Sequence, residues 1–407
     1  MDAKKIFLCF ALLMGILSSC NQAKRGTYLN ESPVVAEKVL VGGEELIVLD
    51  PALLKDTVIF PISHFMEDIE ILKLDSRDEA LIYPSPVEIS DKYILVKSGM
   101  SQQGDYNARV RIPCKLFDKK GNFISDIGAI GQGAGEYQMI YAMQLDEKNQ
   151  RVYLMPWQTN AILVYDLQGN VLDPIPLPYR SNKGVFRVEG DRVTVAVLPF
   201  PGVPSVAWVQ NLQGELLHEI PCGHLEMAFD FSNEIESKQN TDVMDLSFWF
   251  WPTRQDSLYH IDAEKGKLIP RFTCTFEKDK LEPHSYGEWA NHFVGNTSTI
   301  VHVTGPDGYK TEGKTPAYYI VDKETLRGSY FRIENDILGG EPIAWPLGVF
   351  NKGYYALNMD PGNLEEWIET LLKGDKLSEK MRARLTQIQE TIDPEDNNYI
   401  LYAKIKK

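Results

Sequence analysis

A tight-turn pattern recurs five times along this chain, and it constrains the fold more than any other feature of the sequence. Each copy contains an apolar run that ends at Asp or Asn, a short turn that usually contains Gly, and a second apolar run. Aspartate accepts hydrogen bonds from the backbone of such a turn, and glycine adopts positive φ without strain, so each copy predicts a β-hairpin. The turn residues are Asp118, Asp166, Asn211, Asp262 and Asp322, at spacings of 48, 45, 51 and 60 residues.

A repeat of roughly 40 to 60 residues with several short strands per unit is typical of a β-propeller. In the unit around Asp166, three apolar runs (142–146, 151–155 and 161–165) come before the turn. Five units carry the turn, and the strands towards the C-terminus predict one more. A β-sandwich is the alternative, but it predicts shorter intervals between turns and no period of this length. We therefore predict an all-β fold, a six-bladed β-propeller over residues 42–407.

A propeller must close its ring, because an open ring would expose unpaired strand edges and aggregate. The C-terminal strand, residues 399–405, is the expected closing element. Two N-terminal segments have the strand pattern of a closing partner, residues 45–49 and residues 57–60.

A short helical insert is predicted in the last blade, at about residues 363–390. Leu364, Ile368 and Leu371 recur at helical spacing after Asn363, the expected N-cap, and Ser378 is the expected cap of a second helix. Packing of this hairpin on the propeller rim is the simpler interpretation, and docking of a partner is the alternative.

The first 20 residues have the pattern of an export signal. Lys4 and Lys5 precede a mostly apolar run, residues 6–17, which is too short to span a bilayer as a mature helix. The small residues at 18 and 19 then lead into Cys20, and this ending resembles the lipobox of bacterial lipoproteins. A secreted protein with a chance cysteine is the alternative.

The lipobox resemblance implies a signal peptide at residues 1–19 and lipid attachment, including palmitate, at Cys20. The polar segment that follows predicts a flexible tether over residues 20–41. The partner implied at this end is a membrane, reached through the lipid anchor. We expect an outer-membrane location, facing either the periplasm or the cell surface.

The charge and the cysteines exclude several classes of function. Removing residues 1–19 takes away Asp2, Lys4 and Lys5, so the net charge changes from −15 to −15 − 2 + 1 = −16. Such an acidic chain is not expected to bind nucleic acid, which requires clustered Lys and Arg. Cys114, Cys222 and Cys274 are far apart and form no C-x-x-C pair, so we expect small core side chains and no disulfide framework.

Two longer segments resemble a known family. Residues 117–137, which contain the first repeated turn and a glycine-rich loop, and the ending at 393–406 are similar to the NHL-repeat-like six-bladed β-propeller lipoproteins of Bacteroidetes. The resemblance covers nearly the whole mature chain, with Ala134 where the family commonly has Pro. It implies the propeller fold, and it offers no catalytic residues to transfer.

No cofactor site is predicted from motifs. The glycines of residues 128–135 lack both the Gly-Lys-Ser/Thr of a phosphate loop and a following helix, so they predict a loop between blades. The seven histidines show no zinc-binding spacing. Ligands from distant blades could still meet in a central channel, so a Ca²⁺ site stays open as an alternative.

One aromatic segment, residues 248–254, is the candidate ligand-binding feature. In a strand, Trp249 and Trp251 would share one face, and Arg254 would add a planar donor group. Trp157 and Trp345 lie in similar positions near loops and could join them. Packing between blades is the alternative for these rings.

Two functions follow from this pattern. The first is a binding or scaffold module for a glycan, peptide or partner protein. The alternative is a propeller-type polysaccharide lyase or hydrolase, which would require titratable side chains from several blades to converge in one pocket.

The lipobox resemblance makes a direct prediction about Cys20. We expect Cys20→Ala to leave the protein either soluble or held in the membrane by an uncleaved signal, because no thiol remains to be lipidated. Membrane fractionation, combined with the intact mass, measures both outcomes. Retention in the membrane with normal processing would contradict lipidation at this residue.

Overall fold

The computed structural model describes residues 28–101, 110–249, 256–275, 284–304 and 310–407. These residues form six antiparallel blades in a propeller, which confirms the predicted fold class. No helix among them is long and apolar enough to cross a membrane.

The first half of the chain contains four N-terminal strands and three blades. The N-terminal strands are β1 (Ala36–Val41), β2 (Glu44–Leu49), β3 (Thr57–Pro61) and β4 (Glu70–Lys73). Blade 1 and its short accessory pair are β5 (Val87–Ile89), β6 (Tyr93–Val96), β7 (Gly99–Met100), β8 (Arg111–Ile112), β9 (Cys114–Asp118) and β10 (Phe123–Ile127). The connection to blade 2 contains β11 (Ala129–Ile130) and β12 (Glu136–Tyr137). Blade 2 is β13 (Ile140–Asp146), β14 (Arg151–Pro156), β15 (Thr159–Asp166) and β16 (Val171–Ser181). Blade 3 is β17 (Gly184–Glu189), β18 (Arg192–Val197), β19 (Ser205–Asn211) and β20 (Leu216–Pro221).

The second half completes the ring. Blade 4 is β21 (Glu234–Glu236), β22 (Asp245–Trp249), β23 (Leu258–Asp262) and β24 (Lys267–Cys274). Blade 5 is β25 (Ser285–Glu288), β26 (His292–Thr304), β27 (Lys310–Asp322) and β28 (Gly328–Asn335), followed by β29 (Glu341–Pro342). Blade 6 is β30 (Phe350–Asn351), β31 (Tyr354–Met359), β32 (Tyr399–Lys404) and the N-terminal strand β4.

The five repeated turns join the third and fourth strands of blades 1 to 5. Asp166 Oδ1 accepts hydrogen bonds from the N–H groups of Gln168 and Asn170, both at 2.9 Å. Gly169 has φ +80°, and a Cβ there would lie 2.1 Å from the carbonyl oxygen of Asp126 in the preceding blade. The turn therefore requires glycine both for its backbone angle and for the contact between blades. Blade 6 has no sixth copy because its fourth strand comes from the other end of the chain.

The ring is closed by β32, which pairs with β31 on one side and with β4 on the other, antiparallel in both cases. The two closing partners proposed from the sequence are wrong. Residues 45–49 lie in β2, which pairs in parallel with β24, and residues 57–60 lie in β3, which pairs in parallel with β28. A strand pattern indicates that a segment needs a partner, and it does not say which sheet edge supplies one. The N-terminal chain instead covers the outer edges of blades 4, 5 and 6 in turn.

The predicted tether at residues 20–41 extends too far into the folded body. Leu29 and Val35 are buried, and β1 pairs with β2 along its whole length. Most side chains of β1 face solvent because it is the outermost strand of its sheet, and its sequence, AEKVLV, shows no strict alternation that would have marked it as a strand. Cys20 and the rest of residues 20–27 lie outside the described residues.

The helical insert lies between β31 and β32 and consists of α1 (Pro361–Lys373) and α2 (Glu379–Gln389). Asp360, not Asn363, caps α1, because its Oδ1 accepts a hydrogen bond from the N–H of Asn363 at 3.0 Å. Ser378 caps α2 as predicted. Leu364 and Ile368 are fully buried in the same core cluster as β32. The insert is therefore packed on the propeller.

The three cysteines described by the structure, at 114, 222 and 274, are free and buried, which confirms their assignment to the core. Burial raises the pKa of the Cys274 thiol to about 12, so this thiol stays protonated at physiological pH.

The two ends of the propeller differ. One end, here called the turn face, carries the repeated turns and the connections between first and second strands. The other end, the loop face, carries the connections between second and third strands and those between blades. At the turn face, blades 4 and 6 are joined across the axis: the N–H of Lys352 donates to the carbonyl of Lys238 at 2.8 Å, and the Asn240 side chain donates to the carbonyl of Phe350 at 3.2 Å. The central channel is therefore bridged at this end.

Closure by β32 predicts a severe effect of C-terminal truncation. We expect deletion of residues 398–407 to give insoluble protein, because it removes the fully buried Ile400 and Leu401 and exposes the edges of β31 and β4. Deletion of residues 406–407 alone leaves β32 intact and is the control. Solubility and the thermal transition measure both, and near-native stability of the longer deletion would show that the ring closes in another way.

Candidate functional site

A cavity of about 620 Å³ surrounds the propeller axis and reaches the loop face. Its described wall comes from the inner strands of blades 1, 2, 3, 4 and 6 and from the connections next to them. Pro84 and Trp345 lie at its loop-face end, and Lys352 lies at the bridged end. The cavity is therefore a blind pocket with its mouth on the loop face.

Glu88 joins three blades at the bridged end of the cavity. Its Oε1 accepts the N–H of Leu145 at 2.9 Å, and its Oε2 accepts a hydrogen bond from Lys352 Nζ at 2.7 Å. Lys352 also donates to the carbonyl of Met143 at 2.7 Å. A buried carboxylate is tolerated here because a cation and a backbone N–H both compensate for its lost hydration.

Glu234 forms a second polar centre, nearer the mouth. Lys183 Nζ donates to Glu234 and to the carbonyls of Phe231 and Asn233, at 2.7 and 3.0 Å. The Tyr141 hydroxyl donates to Glu234 Oε2 at 2.5 Å. Burial, together with the carboxylate of Glu234, raises the pKa of Tyr141 far above its usual range, so this hydroxyl remains a proton donor.

Lys97 projects into the same cavity from the end of β6. Its Nζ donates to the carbonyl oxygen of Tyr141 at 2.9 Å. Burial lowers the pKa of Lys97, and the neighbouring Cys114 and Glu234 act in the opposite direction. Its position beside the cavity therefore costs this amine part of its hydration.

Of the predicted aromatic residues that the structure describes, one lies in the wall of this cavity. Trp345 lines the cavity and is 58% exposed, and Trp249, at the end of β22, is register-paired with Glu234 and 37% exposed. Trp157 lies in the turn between β14 and β15, outside the cavity wall, on the same face. Trp251 and Arg254 lie outside the described residues, so their part of the predicted platform stays a prediction.

Sequence analysis missed a second aromatic group on the loop face. Phe229 and Phe231, in the connection from blade 3 to blade 4, have ring centroids 4.6 Å apart. The Phe231 ring lies 5.8 Å from that of Trp157, and its carbonyl accepts a hydrogen bond from Lys183. The alternation of two phenylalanines around Asp230 was the available signal, but it lay in a segment with no strand pattern.

The Ca²⁺ alternative is untested. Among the described residues, no three His, Cys, Asp or Glu side chains are grouped so that they could hold a metal ion. The glutamates of the cavity wall each contact a lysine, as Glu236 does with Lys238 at 3.4 Å.

The exposure of Trp345 predicts that its ring contributes little to folding. We expect Trp345→Ala to change the free energy of unfolding by less than about 1 kcal/mol, as is usual for exposed side chains. The matched control is Trp208→Ala, which removes a fully buried ring and should cost about 3–5 kcal/mol. Denaturant unfolding measures both, and similar losses for the two variants would mean that Trp345 is a core residue.

Several solved structures are similar to this chain, at low sequence identity. The chain is similar to a Bacteroides fragilis protein described as a candidate exported protein, with 14% identity, a TM-score of 0.51, and coverage of 84% of this chain and 95% of that one. A Bacteroides vulgatus member of the DUF4221 family aligns at 10% identity and a TM-score of 0.40, over 84% of this chain and 97% of that one. The Dos1 propeller aligns at 13% identity and a TM-score of 0.35, over 65% and 64%.

The likeness to the Bacteroides fragilis protein shows the fold alone, because the two sequences are only 14% identical. No curated protein matched the chain. Residues 46–404 match the model of a family described as a domain of unknown function, DUF4934, and the chain belongs to this family.

Proposed function

We propose that this protein is an exported, lipid-anchored propeller that binds a glycan, peptide or partner protein at the mouth of its central cavity. The observation that carries the proposal is a blind cavity at the loop face with an exposed tryptophan in its wall. In this proposal the protein binds its ligand and does not catalyse a reaction.

The size and the surfaces of the cavity support a binding role. A volume of about 620 Å³ lies within the roughly 300–1,000 Å³ of small-molecule sites. Exposed aromatic rings offer flat apolar surfaces on which sugars and peptide side chains stack, and Trp345 and Trp249 supply two of them. Lys97 and the Tyr141–Glu234 pair add the few polar groups that orient a ligand in such sites.

Export and anchoring are supported by the N-terminal signal pattern and by the fold likeness to a candidate exported protein. Seven residues, and therefore eight residue-to-residue steps, lie between Cys20 and Tyr28, the first described residue. At about 3.5 Å per residue, an anchor at Cys20 would hold the propeller within about 30 Å of a bilayer. We keep the outer membrane, on its periplasmic or outer side, as the proposed location.

The enzymatic alternative has one supporting observation. A lysine whose pKa is lowered by burial can act as a general base, and Lys97 meets that condition in a cavity large enough for a sugar. Hydrolysis of a glycosidic bond normally requires two carboxyl groups, one of them a proton donor. Glu88, Glu234 and Glu236 instead each form an ion pair with a lysine. We therefore place binding before catalysis.

A ligand screen tests the proposal. We expect a subset of glycans or peptides to raise the melting temperature of the full-length protein, because a ligand at 100 times its dissociation constant adds about 2.7 kcal/mol of stability. Ca²⁺ is included as a separate condition. Trp345→Ala should abolish the shift, whereas Tyr28→Ala, which removes an exposed aromatic ring at the turn face, should keep it.

Two outcomes would contradict this function. A shift that survives in Trp345→Ala would place the ligand elsewhere on the protein. If size analysis shows that a polysaccharide becomes shorter during incubation with the protein, the enzymatic alternative would be established instead.

A further inference from the structure

The ion pairs of the central cavity leave one charged side chain of its wall without a carboxylate partner. Three carboxylates lie in the described wall, and each has a lysine of its own: Glu88 has Lys352 at 2.7 Å, and Glu236 has Lys238 at 3.4 Å. The third, Glu234, is held by Lys183. One further lysine, Lys97, lies in this wall and takes part in none of these ion pairs.

Lys97 makes a hydrogen bond to a neutral group only. Its Nζ donates to the carbonyl oxygen of Tyr141 at 2.9 Å, and no carboxylate oxygen of the described residues lies within ion-pair distance of it. Glu234 is near enough to affect the charge of Lys97 but is already paired with Lys183 and bonded to the Tyr141 hydroxyl. An ammonium group has three donors, so Lys97 retains donors that this contact does not use.

The position of Lys97 differs from that of several other lysines of this protein, which contact a carboxylate, and from that of Lys119, whose Nζ lies 3.6 Å from the centroid of the Tyr402 ring. Lys115 contacts Asp126 at 2.5 Å, and Lys323 contacts Glu288 at 2.5 Å. A partly buried cation without a counter-ion lowers stability, and such unfavourable arrangements are concentrated at functional sites. The chain as a whole is acidic, with a net charge of −15, so a lysine without a carboxylate partner is not a consequence of composition.

We infer that Lys97 is the counter-ion for a carboxylate of the ligand, and that the ligand is an acidic oligosaccharide. This inference rests on the proposed function, which it makes more specific. The carboxylate would take the free donors of Lys97, and a sugar ring would stack on Trp345 in the same wall.

Calorimetric titration of the full-length protein tests this inference. The probes are trimers of galacturonate, glucuronate and mannuronate, each compared with its methyl ester, which keeps the ring and loses the charge. We expect at least one acid to bind about 10- to 100-fold more tightly than its ester, the range for a hydrogen bond between charged groups. Lys97→Met should remove this preference, and Lys97→Arg should restore most of it.

The controls separate charge from folding. Lys92→Met removes an exposed lysine at the turn face and should leave the preference for the acid unchanged. The melting temperature of each unliganded variant shows whether it is folded. If Lys97→Met does not fold, the comparison of acid and ester is made with the Lys97→Arg variant.

The remaining outcomes distinguish a failure of this inference from a failure of the proposed binding function. Equal affinity for acid and ester, or binding only of neutral glycans in a Trp345-dependent way, would overturn the role of Lys97 and leave the binding function standing. Lys97-dependent binding of a peptide with a free C-terminal carboxylate, without binding of any uronate, would overturn the sugar assignment. Failure of every acidic and neutral probe would contradict both.

Discussion

The antiparallel pairing of β32 with β4 joins the two ends of the chain, and the rest of the propeller depends on it. The pairing places Leu401 opposite Ile71 on one side and opposite Leu357 on the other. Without it, blade 6 would lose its outer strand, and the ring would end in two open edges. The contacts between β32 and β4 join residues more than 300 positions apart in sequence, so closing the ring carries a large loss of chain entropy.

The N-terminal segment stabilises the ring on its outside as well. β2 and β3 add parallel strands to the outer edges of blades 4 and 5, next to the point where β4 completes blade 6. One continuous segment therefore satisfies the outer backbone groups of three neighbouring blades. Nearer the axis, hydrogen bonds and ion pairs between side chains connect neighbouring blades. Glu288 of blade 5, for example, accepts hydrogen bonds from His260 of blade 4 and from Lys323, each at 2.5 Å.

The central cavity exists because the ring is closed. Glu88, Met143 and Lys352 come from blades 1, 2 and 6, and the contacts among them require blade 6 to lie beside blade 1. The loop that connects β21 to β22 then bridges the axis to blade 6 and makes the cavity blind. A ligand can approach from the loop face, where the exposed tryptophans lie. The same closure that stabilises the fold thus produces the proposed site.

The sequence by itself determined the architecture, because its determinants are local. An Asp or Asn that caps a turn and a glycine with positive φ act within a few residues, so Asp118, Asp166 and Asn211 predict hairpins, and their spacing predicts blades. The buried cysteines and the helical insert follow from equally local patterns. Only the tertiary structure decided which sheet edges β2, β3 and β4 occupy, since many edges accept the same strand. It alone brought Lys97 and Trp345 into one cavity, because residues 248 positions apart share a wall only through the order of blades around a closed ring.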